Sequence, residues 1–177
     1  MLGDKKKSLL ISYTAVFVAL IAAASWISIP VPPVPFTLQT MMVLLCAGVM
    51  KRYAVIPVTL YITLGCLNLP IFHNGTAGLG VVLGPTGGYM FGFIIAAVVA
   101  GYLYESKASM IHLLGLILGT ISILLFGTAW IAISSGMTTE AALIVGCVPF
   151  LVGDGMKLIL AFYIARMVEK INPIRWD

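Results

Sequence analysis

The sequence predicts an all-α integral membrane protein of six transmembrane helices, with both termini on the cytoplasmic side and Pro- and Gly-rich outer loops capping a ligand pocket. Three observations predict the membrane class and the topology. The chain is 61% hydrophobic and 9% charged, with a mean hydropathy of +1.11, where an ordinary soluble domain has roughly 25% charged and roughly 45–50% apolar residues. Its apolar runs are too long and too numerous for one soluble core. Nine of its ten Lys and Arg residues fall on one side of those runs.

The runs between breakers give six spans, at about 9–29, 37–50, 53–69, 86–104, 109–134 and 149–168, in a single membrane domain over residues 1–177. The first follows Lys5, Lys6 and Lys7 and continues without a charge from Leu9 to Ile29. Ala22-Ala-Ala-Ser25 resembles a signal-peptidase site, but the run has span length rather than the length of a signal peptide's apolar segment. The second span is short: its fourteen positions reach about 21 Å against a hydrocarbon core of about 30 Å. The segment before it must therefore complete the crossing or line a cavity. The sixth starts at Pro149, which suits a first helical turn. Thr138-Thr-Glu140 before it forms a separate short outer helix, or else one bent helix runs from Thr139 to Val168.

Lys5, Lys6, Lys7, Lys51, Arg52, Lys107, Arg166, Lys170 and Arg175 flank the inner ends of these spans, and no Lys or Arg occurs in the connections after spans one, three and five. The positive-inside rule then puts both termini in the cytoplasm. The basic pI of about 9.1 is thus a matter of topology and implies no nucleic-acid partner. Inner connections are short and charged, whereas Pro30–Phe36 and Pro70–Gly84 are dense in Pro and Gly. Irregular backbone near membrane depth lines cavities or is buried in protein, which places a site beneath these two outer loops.

Asp154 and Lys157 are the acid and base left inside the spans, three residues apart and on one helix face. A charge at the bilayer centre costs about 3 kcal/mol on insertion scales. The pair is either a mutually neutralised staple or a site for a ligand with both a hydrogen-bonding group and an anionic group. Gly153 and Gly155 beside Asp154 allow a ligand or a helix to approach closely. Gly84-Pro-Thr-Gly-Gly-Tyr89 turns the third connection into the fourth span, with Thr86 as a candidate cap. Pro33-Val-Pro-Phe36 leads into Thr37, Gln39 and Thr40, which either bring hydrogen-bonding groups into an apolar setting or form a rigid turn with helix-capping hydroxyls. His73 reads as a loop residue and Asn74, before Gly75, as a turn residue or a polar contact. Ala15, Ala19 and Ala23 form a small-residue stripe in span one, suited to packing within the chain or to a partner helix.

Other chemistries find little support. Cys46, Cys66 and Cys147 are odd in number and have no metal spacing. No P-loop sequence occurs, and His112 lies far from Asp154 at the inner start of span five, so no catalytic constellation forms. Neither a metal nor a cofactor is expected.

Pro33-Val-Pro-Phe-Thr-Leu-Gln-Thr40, Leu83-Gly-Pro-Thr-Gly-Gly-Tyr89 with Gly92-Phe93, and Pro149-Phe150 with Gly153-Asp154-x-x-Lys157 together resemble the biotin-specific substrate-binding component of energy-coupling factor (ECF) vitamin transporters, in matching order across nearly the whole chain. The resemblance implies a cytoplasmic-membrane protein that binds biotin from outside as substrate, with a transmembrane coupling subunit and two cytoplasmic ATPases as partners. It assigns Asp154 and Lys157 as the acid and base of the last helix and Asn74 as a polar ligand contact. Gly87, Gly88 and Tyr89 would line the pocket, with Thr37 and Gln39 as further ligand contacts and the Ala15, Ala19, Ala23 stripe as docking face. On this reading the ureido group of biotin meets Asp154 and Asn74, the carboxylate meets Lys157, and the bicycle packs on Trp26, Phe36 or Tyr89. No arginine lies in the outer half to share the carboxylate. The alternative is a self-sufficient or proton-coupled transporter using Asp154; a homo-oligomer stays open.

Overall fold

The computed structural model describes residues 2–171 and Trp176; Arg175, counted above among the inner bases, lies outside the described residues. The chain is mostly helical. Four continuous helical stretches are long and apolar enough to cross a membrane: Asp4–Trp26, Gln39–Cys66, Ser109–Ser135 and Thr139–Ile171, joined by the shorter apolar helix Gly87–Leu103.

Two of these stretches are broken, each where the backbone departs from helical geometry. Within the second, α2 (Gln39–Met50) ends at Lys51, whose φ of 53° and ψ of −135° stop the helix, and a 3₁₀ turn over Lys51–Ala54 leads into α3 (Val55–Cys66). The chain doubles back there, since Gln39 at the start of α2 reaches Tyr61 in the second half of α3. Within the last, α7 (Thr139–Gly146) is capped by Thr138, whose Oγ1 accepts from the Ala141 amide at 3.3 Å. A 3₁₀ turn over Val148–Phe150 carries Pro149, and α8 (Leu151–Ile171) follows. The short outer helix is thus separate, and the single bent helix is not found.

The remaining elements are α1 (Leu2–Trp26), a two-residue antiparallel ribbon of β1 (Ser28–Ile29) and β2 (Phe36–Thr37), α4 (Leu79–Leu83), α5 (Gly87–Leu103) and α6 (Ser109–Ser135). The ribbon pins the two ends of the Pro-rich connection together. Thr86 does not cap α5 with its side chain; its Oγ1 donates back to the Val81 carbonyl at 3.1 Å, closing the turn between α4 and α5.

The brevity of α2 has a structural meaning: ten of its twelve residues are buried, and α1, α5, α6 and α8 pack around it. A helix apolar on every face is a core element. Small residues set how closely the others approach, since without a hydrophobic drive between membrane helices, packing decides association. A Cβ on Gly48 of α2 would lie 2.6 Å from the Ala165 Cβ of α8, and one on Gly92 of α5 would lie 2.7 Å from the Ile123 Cα of α6.

The basic termini and links gather at one end of the bundle. Lys51 pairs with Glu169 at 3.3 Å and Arg52 with Glu105 at 3.3 Å. Trp176 is buried there, donating from Nε1 to the Val49 carbonyl at 3.0 Å and packing on Tyr13 and Tyr53. The Pro- and Gly-rich connections occupy the opposite end.

Candidate ligand-binding site

At that opposite end a cavity of about 40 Å³ is walled by Val34 and Pro35 of the first connection, Thr37, Gln39 and Thr40, His73, Thr86, Tyr89, Met90 and Phe93, and Phe150, Asp154 and Lys157. Four separate stretches of chain meet there. Asp154 is the fourth residue of α8, where the unpaired amides of the helix start favour a carboxylate. Lys157 one turn later shares its face, and Nζ donates to Asp154 Oδ1 at 2.8 Å. Both residues are buried, at 2% and 4% exposure, so each charge depends on the other and on what else the cavity brings.

Lys157 has a second neighbour. Its Nζ sits 3.5 Å from the centroid of the Phe36 ring, within the range of a cation–π contact. Phe36 also stacks on Phe150, with centroids 5.9 Å apart and planes at 19°. The space for that ring exists because residue 153 is glycine: a Cβ there would lie 2.3 Å from Phe36 Cζ. Gly153 therefore seats a neighbouring ring, while a Cβ on Gly155 would meet nothing within 4 Å.

A chain of hydrogen bonds joins the walls. Thr37 Oγ1 donates to Gln39 Oε1 at 3.0 Å, Gln39 Nε2 donates to the Tyr61 hydroxyl at 2.6 Å, and that hydroxyl donates to the Ile71 carbonyl at 2.9 Å. Ser25 Oγ of α1 donates to the same carbonyl at 2.7 Å. Such a network, satisfied at each step, fixes the third connection onto the first without exposing an unpaired polar group. Tyr89 closes another wall: its ring fills the groove left by Gly127, and its hydroxyl donates to the Gly146 carbonyl.

The cavity gathers Thr37, Gln39, Tyr89, Asp154 and Lys157 from among the residues singled out in the sequence. Others stand apart. Asn74 is exposed, in the left-handed region at φ 55°, and its Oδ1 accepts from Ser28 Oγ, so its side chain ties the loop to the ribbon and its neighbour His73 reaches the cavity instead. Gly87 and Gly88 do not line the cavity; their missing side chains admit the Val82 carbonyl and the Trp130 Cβ, which is a packing requirement. Trp26 is 62% exposed and lies away from the cavity. Ala15, Ala19 and Ala23 are all exposed on α1.

Sequence reasoning missed Met90 and His73 as cavity residues and Tyr61 as a link in the network behind the wall. The signal for Met90 was its place beside Tyr89 at the start of a helix, with Phe93 one turn from Tyr89. For Tyr61 there was only a hydroxyl in a span without other charge. The His73 imidazole sits outside the spans, and burial pushes its pKa below the ordinary histidine range.

The family model described as the BioY family matches residues 4–173. The chain belongs to the BioY family. It is 41% identical to a biotin transporter BioY of Thermotoga maritima over 161 residues, covering 90% of this chain and 95% of that protein. A probable biotin transporter BioY of Pyrococcus horikoshii is 35% identical over 160 residues, with 90% and 95% covered. Among solved structures, the crystal structure of the S-component for biotin from an ECF-type ABC transporter superposes with a TM-score of 0.87 at 28% identity, covering 94% of each chain. The BioY-family chain therefore shares the S-component fold, and its recognition from the three motifs agrees with these relatives.

Proposed function

We propose that this BioY-family chain binds biotin in the cavity between α2, α5 and α8 and takes part in its uptake as the substrate-specificity component of an ECF-type transporter. The observation that carries the reading is the buried Asp154–Lys157 pair facing a cavity closed by two Pro- and Gly-rich connections. A cyclic urea with an apolar bicycle and an anionic tail is complementary to one acceptor, one cation and the aromatic rings of Phe36, Tyr89 and Phe150. Lys157 meets the carboxylate, Asp154 and Gln39 meet the ureido group, and Thr37 holds Gln39 in register. The lysine does this alone, since the outer half has no arginine.

The same reading makes residues 1–177 one six-span domain, with the second and third spans joined at Lys51 and both termini in the cytoplasm, following the charge asymmetry. Chemistry that uses ATP then belongs to partner subunits, and no cofactor is required, biotin being the substrate. The exposed Ala15, Ala19, Ala23 stripe is the surface on which a coupling-subunit helix would pack. Mass spectrometry of small molecules released from the purified, denatured protein tests the substrate: biotin is expected, and a different vitamin overturns the assignment. Calorimetry tests the site. Asp154→Asn and Lys157→Met should each weaken biotin binding at least about thirtyfold, equivalent to about 2 kcal/mol; near-native affinity in both would refute the placement.

A further inference from the structure

Counting charge in the cavity leads to a residue outside α8. The buried pair sums to zero, so a ligand that brings a carboxylate leaves the site with one uncompensated negative charge. Burial of an unbalanced charge is costly enough that sites shift proton occupancy instead. Near the cavity the titratable groups on the surrounding elements are Tyr61 and Cys66 on α3, Tyr89 on α5, Cys147 between α7 and the turn that carries Pro149, and Asp154 and Lys157 on α8, and none of the thiols or phenols can supply a positive charge; the last two turns of α1, which packs on the His73 turn, carry none. His73 is the remaining one, and it lines the cavity.

The position of His73 is set by its own turn. Phe72 before it is fully buried against Tyr61, and the Phe72 amide donates to the Thr76 carbonyl at 3.1 Å. The Thr76 amide and hydroxyl both donate to the His73 carbonyl, at 3.1 and 2.8 Å. Asn74 is tied to Ser28. The backbone on both sides is held, and His73 forms part of the cavity wall.

We infer that His73 is a ligand-recognition residue that takes up a proton when an anionic ligand enters, supplying the second positive charge that the Asp154–Lys157 pair lacks. The inference rests on the biotin reading of the site. Burial lowers the pKa of the imidazole in the free protein, and a carboxylate in the cavity favours its charged form. The sign follows: a group whose pKa is raised by the ligand binds a proton on complex formation in the window between the two values, so affinity rises as pH falls through that window and levels off below it. With one proton the gain is at most about tenfold per pH unit.

The test is calorimetry of the full chain with biotin in buffers of different ionisation enthalpy, between about pH 5.5 and about pH 8. Proton uptake of up to one per biotin is expected for the wild type, and none for His73→Gln, whose affinity should be flat across the range. Biotin amide, which has no anionic tail, should bind the wild-type protein without proton uptake, and this arm needs no variant. Uptake that persists in His73→Gln assigns the proton to Asp154 and overturns the inference. So does biotin binding with no uptake at all, which leaves the biotin reading intact. Failure of biotin to bind the wild type refutes that reading first.

Discussion

At the scale of single residues the site is defined by how fully Lys157 is engaged, with Asp154 on one side and the Phe36 ring on the other. Removing one member of a buried pair leaves the other charge unpaired, at a cost of about 3–5 kcal/mol, whereas replacing both with apolar or neutral groups is often close to neutral. Asp154→Leu and Lys157→Met should thus each lower the thermal unfolding temperature in detergent. The double variant should recover most of the loss while still failing to bind biotin. A double variant as unstable as either single one would show that the pair is a structural staple. The pair itself was legible in the sequence, because two charges in an apolar run cannot be read as surface. His73 and Asn74 were not separable there: both are turn residues, and the φ of 55° that sends Asn74 toward Ser28 is a property of the folded loop.

At the scale of elements, glycines govern how the helices meet. The family resemblance makes Gly88 a pocket residue, yet its open side faces Trp130 and the Phe126 carbonyl of α6. Spacing shows that a close approach occurs without showing what approaches. Gly92→Val makes the α5–α6 case testable, since backbone of α6 lies where the new side chain must go. Overpacking of this kind costs about 1–3 kcal/mol, and the variant should unfold several degrees below the wild type. An unchanged transition would mean that α5 and α6 do not pack as described. The brevity of the second span was legible, and so was the need for the segment before it either to complete the crossing or to line a cavity. That α2 is enclosed on nearly every face was not, because an apolar helix facing lipid and one facing protein have the same composition.

At the scale of the whole molecule, the two ends of the bundle divide the labour that we propose. One end collects Lys51, Arg52, Glu105, Glu169 and Trp176, and the other closes over the cavity. The alanines of α1 are exposed on the outside of the bundle, between the two ends. Ala19→Trp should therefore abolish co-purification with a coupling subunit and leave the calorimetric affinity for biotin unchanged; intact assembly would count against α1 as the docking face. The charge asymmetry made this polarity readable from sequence, since nine bases on one side leave few other topologies. The size of the cavity was not readable. At about 40 Å³ it is far below the roughly 300 Å³ at which ligand pockets begin, and the Phe36 ring already covers the Lys157 ammonium. Time is where this tells: if biotin binds as proposed, the ring has to swing away first, so stopped-flow association should level off at high biotin and stay well under the encounter limit of about 10⁹ M⁻¹s⁻¹. Phe36→Ala should raise that plateau and hasten dissociation, trading a slow, long-lived complex for a quick and brief one.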